Sequence, residues 1–443
     1  MNNTSIPWRE YAIRELSLLC GIAETHPTLT MSNLRAKSKL FTPVIFGALE
    51  LEHRVVLAPL TRCRATKSEK YPRTWFPDDL NIEYYCQRAT NGGLLISEAT
   101  PVSLQASGMP GVPGIFTDEQ KTGWKRVVDA VHSKGSFFVM QLWHQGRQAH
   151  SKATGMRTLS ASAVPITGSK YFLRRRDPDG VDWEVPRAMM QTDIEMVKQE
   201  YIEAAKAAIE VGFDGIEIHG ANGYLPDQFL HSNVNQRTDG YGGTPEKRCR
   251  LILELTTELG NAIGFDRLAV RLSPFGFFNQ TRGRDRLQQW VYLCRELSRL
   301  HLAYVHLIEP RFDEVLSEQD KLHALTSRTS PSHAETPEFT GDQLTLRPFR
   351  EALGQTPCIV AGGYNPSNCW EGIERGDHDA IAIGRYFTSN SDVVERLRLG
   401  QPLARYDRSR FYGPFPDNEI GYTIHLNRQF AAPDEVPQTS HGA

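Results

Sequence analysis

The chain has 443 residues, of which 40% are hydrophobic and 23% charged, and its formal net charge at pH 7 is −2. This near-neutral balance excludes the broad positive field of a nucleic-acid-binding protein and the polybasic signature of a protein that adheres to anionic membranes. The sequence also contains no apolar run of the roughly 18 residues that a transmembrane helix needs. We therefore expect neither a nucleic acid nor a membrane as partner.

The termini and the cysteines bear on domain organisation and location. We expect residues 1–35 to form a poorly ordered extension, with Met31 as an alternative natural start, residues 36–430 to form one domain, and residues 431–443 to be a C-terminal tail. The seven cysteines are scattered and form no Cys-x-x-Cys pair. This indicates neither a disulfide framework nor a zinc site, and it favours a reducing, cytoplasmic location.

Eight short runs of aliphatic or β-branched residues follow one another along the chain, each ended by polar residues, glycine or proline. Continuous apolar runs of this kind are typical of parallel strands that are covered on both faces. The predicted strands are Val55–Pro59, Gly93–Glu98, Phe137–Trp143, Gly215–His219, Leu268–Leu272, Tyr304–Ile308, Cys358–Ala361 and Ala380–Ile383.

Helical stretches lie between these strands. Thr192 and Glu195 indicate a capping box at the start of one helix, and Pro245 after Thr244 indicates the first turn of another; residues 118–134 and 366–376 are further candidates. The repeated alternation predicts an α/β fold, a closed (β/α)8 TIM barrel rather than an open doubly wound sheet. A Rossmann fold is disfavoured because no Gly-x-Gly-x-x-Gly follows an early strand.

Two connections are too long for simple barrel loops. Residues 144–192 contain Tyr171 and Trp183 around a turn sequence at 177–180, which predicts a hairpin cap over the barrel mouth. Residues 310–342 are polar, with clusters of Ser, Thr and Pro. We expect this second connection to be mobile.

Polar residues cluster where the predicted strands end, which is the active-site face of a β/α barrel. Thr61 follows the first strand, and Gln141 and Trp143 end the third. Gly362 and Gly363 end the seventh strand and Gly384–Arg385 the eighth, with a short helix expected after each. Such glycines, helix starts and an arginine fork suit a phosphate group, although glycines that only permit tight turns are an alternative.

Arg271 lies inside the fifth predicted strand, where a buried charge requires a partner. An anionic cofactor ring would satisfy it, and so would an ion pair with an acid such as Glu98. His219 ends the fourth predicted strand, and Asn222 and Tyr224 follow it. The first two can donate hydrogen bonds to one oxygen, and a phenol with a pKa of about 10 can donate a proton. A metal site built from His144, His150, His219 and His306 is a weaker alternative, because no carboxylate-bearing metal motif accompanies them.

Together these segments resemble the old yellow enzyme family of FMN-dependent ene-reductases. The similarity covers about residues 38–430, in a specific order and spacing. The matching segments are Ala58–Arg62, Gln141–Arg147, Gly215–Leu225, Arg237–Gly243, Arg271–Pro274, Ala361–Tyr364 and Ile383–Phe387.

The resemblance implies a role for each site residue. Thr61 would hydrogen-bond the flavin, Arg271 would stabilise its reduced form, and His219 and Asn222 would bind the substrate carbonyl, while Tyr224 would protonate the α-carbon. The implied cofactor-binding set is Pro59, Thr61, Ala99, Gln141, Arg271, Gly362, Gly363, Gly384 and Arg385. The implied substrate-pocket set is Trp143, Phe278 and Tyr412, with His219 and Asn222.

The implied activity is a ping-pong reaction in which NADPH reduces FMN and an α,β-unsaturated aldehyde or ketone is then reduced at its C=C bond. An isomerase or reductase dedicated to a specialised-metabolite intermediate is an alternative that keeps the same pocket. A flavin-binding protein without turnover and a metal-dependent barrel hydrolase are further alternatives. We expect a monomer or a homodimer.

Overall fold

The computed structural model describes residue 35 and residues 37–171, 180–313, 316–326 and 339–425. The predicted extension at 1–35, apart from residue 35, and the predicted tail at 431–443 therefore lie outside the described residues. So do the turn residues 172–179 of the predicted hairpin. Within the described part of the chain, no helix is long and apolar enough to cross a membrane, and the six cysteines found there are all free thiols.

Eight parallel strands close into a barrel, as the sequence predicts. Each strand pairs with its neighbours in chain order, and the last pairs with the first through Ile383 and Leu57. All eight lie within two residues of the predicted bounds. We name them β1 (Val55–Leu57), β2 (Leu94–Ile96), β3 (Phe137–Trp143), β4 (Gly215–Gly220), β5 (Leu268–Leu272), β6 (Tyr304–Ile308), β7 (Cys358–Ala361) and β8 (Ala380–Ile383).

Helices follow the strands and cover the barrel. The α-helices are Asp79–Arg88, Asp118–His132, Ser151–Thr154, Gln191–Glu210, Leu225–Leu230, Pro245–Ile263, Arg286–Ser298, Glu318–Thr326, Arg347–Leu353, Glu371–Arg375 and Val393–Leu399. Short 3-10 helices are Lys39–Phe41, Gly146–Gln148, Phe265–Arg267, Phe278–Gln280, Gly341–Gln343, Arg385–Thr388 and Arg408–Arg410. The remaining short strands are Val44–Phe46, Leu49–Leu51, Thr66–Lys67, Trp75–Phe76, Thr100–Pro101, Leu159–Ser160, Lys170–Tyr171, Val181–Asp182 and Arg187–Ala188.

Two helix starts test the capping predictions. Thr244 caps the helix Pro245–Ile263 by accepting a hydrogen bond from the Lys247 backbone N–H, as predicted. The predicted box at Thr192 is wrong, because the neighbouring helix begins at Gln191. There the Asp193 carboxylate accepts the Met190 N–H at 2.7 Å and also binds Arg187, so the N-cap is Met190, two residues before Thr192.

A short antiparallel hairpin closes the amino end of the barrel. Its strands Val44–Phe46 and Leu49–Leu51 place Phe46, which is fully buried, with its ring centroid 6.0 Å from that of Tyr304 on β6. Phe46, Leu49 and Leu51 join a hydrophobic cluster with residues of the barrel strands. Because apolar side chains fill this end, the carboxyl end is left for ligands.

The two long connections both reach the mouth. Lys170–Tyr171 and Val181–Asp182 pair antiparallel, in agreement with the predicted hairpin cap. The second connection contains a helix, Glu318–Thr326, where the sequence indicated a mobile loop. Lys321 holds this helix, since its Nζ lies 3.1 Å from Asp313 Oδ2 and donates to the Phe312 carbonyl at 2.9 Å.

Candidate active site

A cavity of about 2690 Å³ opens at the carboxyl ends of the strands. It is larger than the roughly 300–1,000 Å³ of most small-molecule sites, so it has room for a cofactor and a substrate together. Every site residue predicted from the sequence lines it. These residues are Pro59, Thr61, Ala99, Gln141, Trp143, His219, Asn222, Tyr224, Arg271, Phe278, Gly362, Gly363, Gly384, Arg385 and Tyr412.

The turn after β1 is held by a buried carboxylate. Glu98 Oε2 accepts the backbone N–H groups of Arg62 at 3.2 Å and Cys63 at 3.4 Å, one and two residues after Thr61. Burial raises the pKa of Glu98 to about 7, and these two N–H groups act against that rise. Because Ala99 follows Glu98 directly, one residue links two predicted cofactor contacts.

A layer of buried polar side chains lies inside the barrel beneath the cavity. Gln141 Nε2 donates to Glu217 Oε1 at 2.7 Å, and His306 Nδ1 lies 2.9 Å from Glu217 Oε2. Burial opposes ionisation of Glu217, but His306, Arg271 and Gln141 together bring its pKa below the ordinary value. The layer therefore places an ionised carboxylate below Arg271.

Glu98, the acid named as an example of an ion-pair partner for Arg271, binds the turn after β1 instead. Glu98 Oε1 has no hydrogen-bond partner among the described residues, and Oε2 binds the Arg62 and Cys63 N–H groups. The strand register instead pairs Arg271 with His219 on one side and with His306 on the other. The charge of Arg271 lowers the pKa of Glu217.

His219 and Tyr224 are neighbours in the cavity wall. Their ring centroids lie 4.9 Å apart, and Tyr224 lies 5.0 Å from Trp143 in an edge-on arrangement. Burial first, and then Arg271 and His306, lower the pKa of His219 well below its ordinary value, so the imidazole is neutral. Its buried Nδ1 has no hydrogen-bond partner within the described part of the chain.

Asn222 is held by its backbone. Its φ of 57° is left-handed, a conformation that Asn tolerates better than most residues. Its N–H donates to Ser273 Oγ at 2.9 Å, and its carbonyl accepts from Asn279 Nδ2 at 2.8 Å. Both backbone groups are thus occupied, while the side-chain amide makes no hydrogen bond to the described residues and is available to a ligand.

Glycines and arginines surround the end of the cavity near β7 and β8. Gly362 and Gly363 have φ of 131° and 69°, which L side chains rarely adopt. Arg385 donates from Nη2 to the Asp313 carbonyl at 3.0 Å. The four-residue 3-10 helix Arg385–Thr388 follows β8 at once, but the helix expected after Gly363 begins only at Glu371. The start of the helix at Glu371 is therefore not part of the predicted phosphate site.

Sequence reasoning missed Arg311. Its Nε donates to the Gly362 carbonyl at 2.9 Å, and the residue lines the cavity beside the glycines. The signal was available, because Arg311 is the third residue after β6 and so lies on the active-site face. The helix Glu318–Thr326, whose Leu322 and His323 also line the cavity, was missed because its surrounding sequence is rich in polar residues.

Three of the four histidines of the metal alternative form other contacts. His144 Nδ1 accepts the Gly146 N–H at 3.0 Å, His150 Nδ1 accepts the Lys152 N–H at 3.1 Å, and His306 binds Glu217. Across the described ranges, no group of three or more His, Cys, Asp or Glu side chains could hold a metal ion.

The closed barrel and its mouth cavity define an α/β-barrel protein of the class that binds ligands at the carboxyl ends of its strands. The model of the NADH:flavin oxidoreductase / NADH oxidase family matches residues 39–404. The chain therefore belongs to this family, and it is an oxidoreductase of the old yellow enzyme type.

Individual relatives agree with this assignment. The chain is 46% identical over 398 residues to flavin oxidoreductase hxnT of Emericella nidulans, which covers 89% of this chain and 98% of the relative. It is 41% identical over 396 residues to 12-oxophytodienoate reductase 7 of Oryza sativa subsp. japonica, covering 87% and 94%. The solved structure of the old yellow enzyme homologue from Zymomonas mobilis (NCR) superposes with a TM-score of 0.75 at 32% identity, covering 88% and 99%.

The residues present fit the FMN that this family carries. A Cβ added at Gly363 would meet only Arg311 Nε, at 3.6 Å, so the backbone there is open to a phosphate. Arg385 lines the same cavity, and so do the polar side chains of Thr61, Gln141 and Arg271. This donor set suits a planar ring with an anionic tail.

Proposed function

We propose that the protein takes hydride from NADPH and reduces the C=C bond of α,β-unsaturated aldehydes or ketones. The observation that carries the proposal is the neutral imidazole of His219, with a buried ring nitrogen that has no partner among the described residues, next to the phenol of Tyr224. The similarity to the rice 12-oxophytodienoate reductase supports a substrate of this class.

His219 and Asn222 hold the substrate in this proposal. Their side chains donate hydrogen bonds to the carbonyl oxygen, where negative charge develops as the alkene accepts hydride. Because burial and Arg271 keep His219 neutral, it polarises the carbonyl without giving up its own proton. Binding needs little further ordering of Asn222, because Ser273 and Asn279 already hold its backbone by hydrogen bonds.

Tyr224 supplies the proton and the aromatic residues exclude water. The phenol lies beside His219, so a substrate whose oxygen is bound there brings its α-carbon within reach of the Tyr224 hydroxyl. Trp143, Phe278 and Tyr412 line the same cavity and give it an apolar wall. FMN, when bound, supplies the hydride-transfer chemistry between the nicotinamide and the alkene.

The remaining site assignments are also part of the proposal. Thr61, Pro59, Ala99 and Gln141 contact the flavin ring, and Arg271 stabilises the negative charge of its reduced form. Gly362, Gly363, Gly384 and Arg385 bind the phosphate. A cytoplasmic location and a monomeric or homodimeric state stay predictions from the sequence.

The test is anaerobic reduction of the purified protein by NADPH and, separately, by NADH, followed by reoxidation with a panel of enals and enones. We expect the flavin absorbance to bleach with NADPH and to return on addition of an enone, with one saturated product formed per NADPH consumed. Product formation without net NADPH consumption would indicate isomerisation instead. A protein that binds no flavin, or that bleaches and is not reoxidised by any alkene, would refute the proposal.

A further inference from the structure

Arg62 is a buried residue that binds residues 410–421, which we call the C-terminal segment. The residue is 1% exposed and follows Thr61 directly. Its Nε donates to the Phe411 carbonyl at 2.8 Å, and its Nη2 donates to the carbonyls of Gly421 at 2.7 Å and Arg410 at 3.2 Å. One guanidinium therefore holds three backbone carbonyls that are separated from it by about 350 residues of sequence.

The backbone of Arg62 makes two further contacts. Its N–H donates to Glu98 Oε2 at 3.2 Å, and its carbonyl accepts the Gly413 N–H at 2.9 Å. Tyr412 is thus bracketed, because the residues on both sides of it are hydrogen-bonded to Arg62. Thr61 precedes Arg62 in the chain. Arg62 therefore connects two residues that line the cavity, Thr61 by the peptide bond and Tyr412 through the hydrogen bonds of its neighbours.

Arg64 adds a second buried guanidinium to the contact between the turn after β1 and the C-terminal segment, which we call the junction. It donates to the carbonyls of Arg410 at 2.8 Å, Phe411 at 3.2 Å and Asn418 at 2.9 Å, and to that of Arg62 itself at 2.7 Å. Charges this deeply buried are tolerated only when polar groups surround them. Backbone carbonyls of the C-terminal segment accept hydrogen bonds from both arginines. Moving this segment would therefore leave two buried cations without these hydrogen-bond acceptors.

We propose that Arg62 is a positioning residue that fixes Thr61 toward the flavin and Tyr412 toward the substrate as one unit. The inference rests on the proposed function, in which these two side chains serve cofactor and substrate. As a consequence, a structural change near Tyr412 should alter the flavin midpoint potential, and a structural change near Thr61 should alter the KM for the substrate.

The first test is Arg62→Lys, which keeps a positive charge but cannot bind three carbonyls at once. Arg248→Lys is the matched control, because Arg248 is 2% exposed and binds the carbonyls of Gly243 and Arg284, far from the C-terminal segment in sequence. We expect Arg62→Lys to raise the KM for an enone about tenfold, with a smaller effect on kcat, and to shift the flavin midpoint potential. Arg248→Lys should do neither.

The second test approaches the junction from its other side. A Cβ at Gly413 would lie 2.6 Å from the Cys63 carbonyl oxygen, so Gly413→Ala must push the C-terminal segment away from the turn after β1. Gly341→Ala is the control, since a Cβ there meets nothing within 4 Å. We expect Gly413→Ala, although it lies on the substrate side, to shift the flavin midpoint potential as well as the enone KM.

The outcomes distinguish failure of the inference about Arg62 from failure of the proposed function. If Gly413→Ala changes neither the potential nor the KM relative to Gly341→Ala, the inference is overturned, whether or not Arg62→Lys folds. If Gly413→Ala changes the KM alone, the two sites are not coupled and the inference also fails. Failure of the wild-type protein to bind FMN or to reduce any enone would instead contradict the proposed function.

Discussion

His219 and Arg271 face each other across neighbouring strands, as paired residues in the parallel register of β4 and β5. Side chains that share a position in adjacent parallel strands project to the same side of the sheet, so a permanent cation lies next to the imidazole. Burial first, and then this cation, lower the pKa of His219. The neutral imidazole is thus built into the barrel and does not depend on a bound substrate.

We expect His219 to remain neutral at pH 6, below the ordinary histidine pKa of about 6.5. The unfolded chain would take up a proton there that the folded site refuses, so this group lowers stability as the pH falls below about 6.5. Histidine-ring ¹⁵N NMR of the holoenzyme would check the protonation state, with His219→Gln used to assign the signal. A doubly protonated ring at pH 6 would contradict the assignment.

Tyr224→Phe should spare reduction by NADPH and slow the alkene step. Loss of a general acid typically costs about 10²–10⁴ in rate, and the ring contact with His219 is retained in phenylalanine. Stopped-flow measurement of the two half-reactions would separate them. Tyr241→Phe is a suitable control, because the Tyr241 hydroxyl binds Glu254 and lines no part of the cavity. Equal rates for Tyr224→Phe and wild type in both half-reactions would remove Tyr224 from the mechanism.

Glu98→Gln should alter the pH dependence of stability. Burial raises the Glu98 pKa from its ordinary 4.5 to about 7, so the folded state binds a proton that the unfolded state has lost. Stability from this group is complete below about pH 4.5 and falls as the pH rises through 7, by up to about 3 kcal/mol. Chemical unfolding at a series of pH values should show this loss in the wild type and not in Glu98→Gln. Parallel curves for the two proteins would show that Glu98 ionises normally.

Arg385→Met should weaken FMN far more than riboflavin. A lost charge-assisted hydrogen bond costs roughly 1.5–3 kcal/mol, which is about a tenfold to hundredfold rise in the FMN dissociation constant. Riboflavin lacks the phosphate, so its affinity should not change. Fluorescence titration of the apoprotein with both flavins measures the difference, with Arg347→Met as control because the Arg347 side chain is 81% exposed. Equal losses for FMN and riboflavin would show that Arg385 does not bind the phosphate.

The sequence predicted the barrel well because its strands are local features. Each buried strand is a continuous apolar run that ends at a glycine, a proline or a polar residue, and these signals do not depend on distant parts of the chain. The start of the helix at Gln191 was harder, because Asp193 is fixed there by Arg187 as well as by the Met190 N–H. Part of the site, including Thr61, Gln141 and His219, was found because chemistry in this fold follows strand ends. Ala99, Phe278 and Tyr412 came only from the resemblance to the family.

Contacts between distant segments were not predictable. An acidic partner of Arg271 was sought in Glu98, but the strand register places His219 and His306 beside Arg271, and the charge of Arg271 lowers the pKa of Glu217. No local pattern encodes that register. The helix Glu318–Thr326 is held by the buried pair of Lys321 and Asp313, which a polar sequence does not reveal.

By itself, then, the amino-acid sequence determined the eight strands, their order and the polar residues at several strand ends, because hydrophobic pattern and turn residues act over a few positions. Only the tertiary structure decided which charges are neutralised by which partners. Arg62 illustrates the difference: its carbonyl partners at residues 410, 411 and 421 become its neighbours only after the chain has closed the barrel. A buried charge is stabilised by whatever polar groups surround it in space, and that surrounding is a property of the completed fold.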